Sequence, residues 1–153
     1  MMGVRRFAFG ATAAVMTSMA VIAGLGSANS GKVSIVAGLL IIGIADNLSD
    51  TLSIHVHEES GANGTGAFSL SVSNYTTRLL VVCSFVLLVL LLPIDIARAA
   101  SMVWGVVLLA VLTYFIAVAR SVRPVPEILK HLLVAAVVLV LSQAIGTLMR
   151  HLF

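Results

Sequence analysis

The chain has 153 residues, of which 60% are hydrophobic and only 10% charged, and its mean hydropathy is +1.15. This composition excludes a water-soluble globular domain, and at about 20 apolar residues per span it leaves room for at most about five or six transmembrane helices. The formal net charge of +3 does not indicate nucleic-acid binding, because the basic residues stand singly or in pairs at the ends of apolar runs. Cys83 is the only cysteine, which excludes an intramolecular disulfide.

Five apolar stretches predict five transmembrane helices, over about 7–25, 33–57, 79–94, 99–119 and 128–149. A segment rich in Gly, Ser, Asn and Thr over 60–77 predicts a flexible loop between the second and third of them. The other connections are short, so successive helices should be antiparallel neighbours. We therefore expect an all-α polytopic membrane helix bundle that forms one domain, 1–153, in a prokaryotic inner (plasma) membrane.

The distribution of Lys and Arg predicts the orientation, because these residues are enriched in cytoplasmic loops. With the N-terminus inside, the inner side would hold six bases and the outer side three. The inner six are Arg5, Arg6, Arg78, Arg120, Arg123 and Lys130, and the outer three are Lys32, Arg98 and Arg150. This imbalance favours an N-terminus inside and a C-terminus outside. Asp95 and Arg98, three residues apart at an outer corner, predict an ion pair or a helix cap.

The first apolar stretch has two interpretations. A pair of arginines, an apolar core and a Gly-Ser-Ala tripeptide resemble the three regions of a cleavable signal peptide covering residues 1–28. We favour a retained helix, because the apolar core is longer than the ~7 to 15 residues usual in signal peptides. Small residues four apart, such as Ala20 and Gly24, would also let another helix approach closely in lipid.

Ionisable side chains are concentrated in the second predicted span, where each would cost several kcal/mol without a partner or a water-filled path. Asp46, Asp50, Ser53 and His57 are spaced by four, three and four residues, so they share one helical stripe about 60° wide. Asp46 would lie about 20 Å from Lys32, past the middle of the bilayer. The polar residues beside this stripe are Asn47, Thr51 and Glu58, with His55 on the other side and Glu59 at the inner end.

This pattern predicts a path for a divalent cation. The expected ligands are Asp46, Asp50, His57 and Glu58, and Asn47, Ser53, His55 and Glu59 are expected to line the path or to couple it to protons. Carboxylate and imidazole ligands without thiolate suit manganese or ferrous iron better than copper, with zinc left open. Two carboxylates one turn apart repel each other when empty, which makes exchange of metal for protons plausible.

A second hypothesis is that these polar groups only hydrogen-bond to neighbouring helices. The protein would then be a non-transporting membrane assembly protein whose stripe binds a partner helix. A small multidrug exporter is disfavoured by the five spans and the scarcity of aromatic residues. The sequence contains no nucleophile motif, phosphate loop or dinucleotide fingerprint, so we expect neither an enzyme nor a bound cofactor.

The order of segments resembles the vacuolar iron transporter (VIT) family of iron and manganese transporters. The similar stretches include Arg-Phe-Ala-Phe-Gly at 6–10, Met-Ala-Val-Ile-Ala-Gly-Leu at 19–25, and the endings at 119–122 and 144–148. Ser53 and Glu58 match the serine and glutamate of the family's second-helix motif. The resemblance implies five transmembrane helices, a cytoplasmic N-terminus, a homodimer with the path near the subunit interface, and proton-coupled export of ferrous iron or manganese.

Three departures from the family pattern matter. The first-helix acid is missing, because this chain has Thr12-Ala13-Ala14 at that place. Ile54 and His57 replace the family's methionine and the glycine before its glutamate. The acidic helical region between the second and third helices is replaced by the 60–77 segment. The chain is therefore interpreted as a short, divergent member in which Asp46 and Asp50 restore the lost charge from the second helix.

Overall fold

The computed structural model describes residues 2–59 and 67–153. In this part of the chain there are six α-helices, one π-helical turn and no strand. The elements in order are α1 (Met2–Ser27), α2 (Lys32–Ile41), the π-helical turn Ile42–Asp46, α3 (Asn47–Glu59), α4 (Ala67–Leu91), α5 (Ile94–Ala119) and α6 (Pro124–Leu152). The elements α2, π-helical turn and α3 follow one another without a break, and we call them together the second rod.

Within the described ranges, five helical segments are long and apolar enough to cross a membrane. They are Gly10–Ser27, Lys32–Ser53, Ser71–Leu91, Ile94–Ala119 and Pro124–Leu152. The chain is therefore a multi-pass integral membrane protein, and the predicted all-α bundle of five spans is confirmed. The predicted placement of the N-terminus inside and the C-terminus outside stays a prediction.

The predicted loop over 60–77 is wrong for its second part, because α4 already begins at Ala67. Residues 60–66 lie outside the described residues. The polarity of this segment predicts a loop, yet Ser71, Asn74 and Thr77 are buried in the bundle. Their spacing of three residues keeps them on one face of α4, where they face neighbouring helices rather than water. α4 ends at Leu91 and α5 begins at Ile94, and Pro93 between them has no N–H to continue the hydrogen bonding of α4.

The helix ends are closed by specific backbone and side-chain bonds. Asn29 and Ser121 adopt left-handed conformations with φ of 59° and 55°, each two residues after the last residue of α1 or α5. The N–H of Ser30 donates to the Leu25 carbonyl at 3.0 Å, which is the wide bond of a Schellman cap. Lys32 Nζ donates to the carbonyls of Leu90 and Leu92 at 2.6 and 3.1 Å, so the start of the second rod caps the end of α4.

The central element of the bundle is α1, which packs against α2, α4, α5 and α6. Of the residues in its span, 56% are buried, against 11% in the span of α6. Val15, Met19 and Ile22 of α1 are almost fully enclosed and join one continuous apolar core with side chains of α2, α4 and α5. The outer helices expose their other faces, as expected where lipid is the solvent.

This packing bears on the fate of residues 1–28. Their removal would take the central helix out of the bundle and leave its neighbours without a common core. We expect the protein isolated from membranes to retain α1, so that intact-protein mass spectrometry of C-terminally tagged protein gives the mass of the full 16.0 kDa chain plus tag. A mass that corresponds to a chain starting near residue 29 would support the signal-peptide interpretation instead.

Candidate functional site

The two acids predicted to bind a cation both contact one arginine. Asp46 ends the π-helical turn, Asp50 lies one turn later on α3, and Arg78 faces them from α4. Arg78 Nη2 donates to Asp46 Oδ2 at 2.9 Å, and Arg78 Nη1 donates to Asp50 Oδ2. A planar guanidinium with separate N–H groups is suited to bridging two carboxylates in this way. We call these three residues the acid–arginine cluster.

The members of the acid–arginine cluster differ sharply in burial. The side chain of Arg78 is only 5% exposed, whereas those of Asp46 and Asp50 are 48% and 47% exposed. A buried guanidinium requires a counter-ion, and the two carboxylates provide it. One positive and two negative groups leave a formal charge of −1. This surplus charge lies on the surface of the helix bundle, where about half of each carboxylate side chain is exposed.

The depth of the cluster follows from helix geometry. Asp46 is fourteen residues from the start of α2 at Lys32, and Arg78 is thirteen residues from the end of α4 at Leu91. At ~1.5 Å per residue, both lie about 20 Å from the same end of the bundle. Both also fall inside candidate membrane spans. The three charges therefore lie within helical segments long and apolar enough to span a membrane, and their distance from this end exceeds half of an apolar layer about 30 Å thick.

The backbone around the acids is locally irregular and closely packed. The five residues Ile42–Asp46 form a π-helical turn, a feature that is frequent at functional sites. Asn47, which follows this turn, is 1% exposed, and its Nδ2 donates to the Tyr75 carbonyl at 2.8 Å. Its Oδ1 is buried and has no hydrogen-bond partner among the described residues. The second rod and α4 are thus joined both by the ion pairs of the cluster and by the hydrogen bond from the Asn47 side chain.

A polar layer continues from the cluster toward α1. Asn74 is 4% exposed, packs directly against Gly10 of α1, and finds no hydrogen-bond partner for its side-chain amide in the described part of the chain. Ser71, one turn away on α4, is also buried. Together with Arg78, these side chains give α4 one polar face inside an otherwise apolar bundle.

The other predicted site residues are Ser53, His55, His57, Glu58 and Glu59. Ser53 is exposed and its hydroxyl donates to the Ser49 carbonyl at 3.0 Å, while His55 is partly buried. The side chains of His57, Glu58 and Glu59 lie outside the described part of the structure. Among the side chains that are described, no group of three or more His, Cys, Asp or Glu residues could hold a metal ion. Of the four predicted ligands, the structure therefore brings together Asp46 and Asp50.

Arg78 is the functional residue that the sequence interpretation missed. The polar segment before it predicts a loop, which would make Arg78 a base at the inner membrane surface. In the structure Arg78 lies eleven residues after the start of α4. It therefore no longer counts as a loop base, and the predicted orientation depends on five inner bases against three outer ones. The available signal was its position next to a long apolar run with polar residues at 71, 74 and 77 on the same helical face.

A polar cavity of about 220 Å³ lies at the opposite end of the bundle from Lys32. It is lined by Thr12 and Thr113 from the interior and by Arg120, Glu127 and His131 from the ends of α5 and α6. Glu127 forms an ion pair with Lys130 at 3.0 Å, and its backbone carbonyl contacts His131 Nδ1 at 2.9 Å. These contacts stabilise the first turn of α6.

Comparison of the chain with protein-family models, with curated proteins and with solved structures finds no significant match. The resemblance to the vacuolar iron transporter family therefore stays a prediction.

Proposed function

We propose that the protein is a membrane transporter for a divalent metal cation, manganese or ferrous iron, which it exports from the cytosol in exchange for protons. The observation that carries this proposal is the intramembrane acid–arginine cluster with its surplus negative charge. Ionisable groups inside a membrane span are costly and usually mark an ion or proton pathway. Half-exposed carboxylate oxygens are also the ligands that manganese and ferrous iron accept.

The charge of the cluster supports coupling to protons. The unloaded cluster has a formal charge of −1, and a divalent cation would change it to +1. Binding of one proton instead would make it neutral, which is the least costly charge state within a bilayer. Arg78 prevents the two carboxylates from repelling each other when no cation is bound. The buried Oδ1 of Asn47 supports its proposed place along the path, and His57 and Glu58 remain proposed ligands toward the inner mouth.

The exposure of the carboxylates supports a homodimer. Asp46 and Asp50 face outward from the single chain, and contact between them and lipid tails would be unfavourable. A second copy packed against this side would enclose the path and keep water and cations in contact with the acids. In this arrangement the protein is a multi-pass transporter of the prokaryotic inner membrane and serves metal homeostasis.

Transport by purified protein in liposomes tests the proposal directly. Uptake of manganese and of ferrous iron is measured with and without a pH gradient, for the wild type and for Asp46→Asn and Asp50→Asn. We expect each substitution to lower the initial rate at least about tenfold, since one lost charge-assisted interaction of ~1.5–3 kcal/mol corresponds to this factor or more. We expect a pH gradient to accelerate the wild type.

Asp95→Asn is the matched control, because Asp95 is an exposed acid at the start of α5, away from the cluster. It should transport like the wild type. Equal rates for all variants would show that transport does not use the cluster. Absence of flux for every divalent cation would contradict a transporter altogether.

One observation favours a second candidate function. Arg78 already binds both carboxylates, and no third His, Cys, Asp or Glu joins them among the described side chains. The cluster could then serve as a polar contact for a partner helix in a non-transporting membrane assembly protein. This function predicts no metal flux, together with loss of a co-purifying membrane partner in Asp46→Asn and Asp50→Asn.

A further inference from the structure

A cavity of about 340 Å³ lies where α1 ends, α5 begins and α6 ends. Its charged and amide-bearing lining residues are Arg98, Gln143 and Arg150, and Ser27 adds a hydroxyl. No Asp or Glu is found among the residues that line it in the described part of the chain. The cavity thus combines two positive charges with hydrogen-bond donors and suits an anion. It shares no lining residue with the acid–arginine cluster.

Arg98 lines this cavity and has no counter-ion among the described residues. Its side chain lies across Gly26 of α1, where a Cβ atom would come within 2.9 Å of Nε. The Nε–H is buried and has no acceptor among the described residues. The predicted ion pair with Asp95 is not formed, although both side chains belong to the described part of the chain. A buried donor without an acceptor is unfavourable, so an acceptor oxygen from a ligand would stabilise it.

Capping of α1 does not explain the position of Arg98. The carbonyls at the end of α1 already accept backbone bonds, from Ala28 to Gly24 at 3.0 Å, from Ser30 to Leu25 at 3.0 Å and from Asn29 to Gly26 at 3.1 Å. Lys32 differs in this respect, because its Nζ directly binds two carbonyls at the end of α4. Arg98 therefore keeps its guanidinium donors for another partner.

We propose that this cavity binds a phosphate group, with the Arg98 guanidinium as the principal ligand and Arg150 as the second charge. A guanidinium presents Nε–H and Nη–H in a planar fork that matches two phosphate oxygens. Arg98 is the fifth residue of α5, about 6 Å from its N-terminus, where the helix dipole also favours an anion. This depth corresponds to the headgroup region, and basic pockets between transmembrane helices bind anionic lipid headgroups.

Native mass spectrometry of the delipidated full-length protein in a non-ionic detergent tests the proposal. Phosphatidylglycerol and phosphatidylcholine are added at equal concentrations, and the ratio of the two lipid-bound states is measured. Both lipids carry a phosphodiester, but only phosphatidylcholine would bring a choline cation close to Arg98 and Arg150. We therefore expect the wild type to prefer phosphatidylglycerol about tenfold, and Arg98→Gln to bring this ratio close to one. A second arm measures thermal unfolding in inorganic phosphate and in chloride at equal ionic strength, which identifies free phosphate as the source if only this arm depends on Arg98.

Three further variants make the result unambiguous. Arg98→Lys keeps the charge without the fork and should retain part of the preference. Arg150→Gln alters an exposed residue near the end of α6, and it should lower the preference even if Arg98→Gln fails to fold. Arg123→Gln removes an exposed charge between α5 and α6 and should change nothing. The proposal is overturned if the wild type shows neither lipid preference nor stabilisation by phosphate, or if Arg123→Gln has the same effect as Arg98→Gln.

Discussion

Replacement of Arg78 by glutamine is expected to destabilise the protein by about 3–5 kcal/mol, the cost found when one partner of a buried ion pair is removed. Arg78 is buried and bridges Asp46 and Asp50 within the membrane spans. Without it, two carboxylates one turn apart would face each other with no counter-ion. Chemical unfolding of the purified protein in detergent micelles, followed by circular dichroism, measures the change. The same variant should give less monodisperse protein by size-exclusion chromatography.

A charge-neutral combination separates electrostatics from packing. The triple variant Asp46→Asn, Asp50→Asn, Arg78→Gln retains side chains of similar shape without the three charges. It should recover most of the stability lost in Arg78→Gln, because no uncompensated charge remains. Arg123→Gln, which changes an exposed arginine outside the helices, should leave the unfolding midpoint unchanged. A triple variant that is no more stable than Arg78→Gln would mean that Arg78 acts through packing alone.

The second large effect is expected for Gly146→Leu. Gly146 of α6 lies against the backbone of α1, and a Cβ atom at this position would collide with the Gly24 carbonyl oxygen and come within 3.1 Å of the Ala28 nitrogen. The obstacle is backbone, so no side-chain rotation relieves it and the two helices must separate. We expect a loss of about 1–3 kcal/mol or more, as for other overpacked interiors, measured as a lower midpoint of unfolding.

Ala144→Leu is the matched control for this substitution. Ala144 lies two residues earlier on the same helix and is exposed, so the same leucine would face lipid there. Its unfolding midpoint should stay within about 0.5 kcal/mol of the wild type, as is usual for surface substitutions. Equal destabilisation by both leucines would contradict the close crossing of α1 and α6. The small residue predicted to permit helix contact, Gly24, is confirmed at this crossing, where it faces Gly146.

The hydrophobic pattern was sufficient to predict the five spans, because an apolar run of about 20 residues in a chain with few charges has no stable alternative to a transmembrane helix. The same physics explains the main error. Polarity over 67–77 predicts a loop, yet α4 buries Ser71, Asn74 and Thr77 against neighbouring helices, and the Thr77 hydroxyl donates to the Ser73 carbonyl of its own helix. Whether Asn74 faces water or Gly10 depends on what packs against α4, which a local pattern does not contain.

In the candidate site, too, the sequence determined one part and the tertiary structure decided the other. By itself, the sequence determined that Asp46 and Asp50 share one helical face inside an apolar span, since a spacing of four residues in a helix leaves no other arrangement. Only the tertiary structure decided that Arg78, 32 and 28 positions later, bridges them. The same holds for Arg98 across Gly26 and for Gly146 against Gly24. Periodicity acts within one helix, whereas partners on different helices are set by how the helices pack, and packing depends on the shapes of all the faces together.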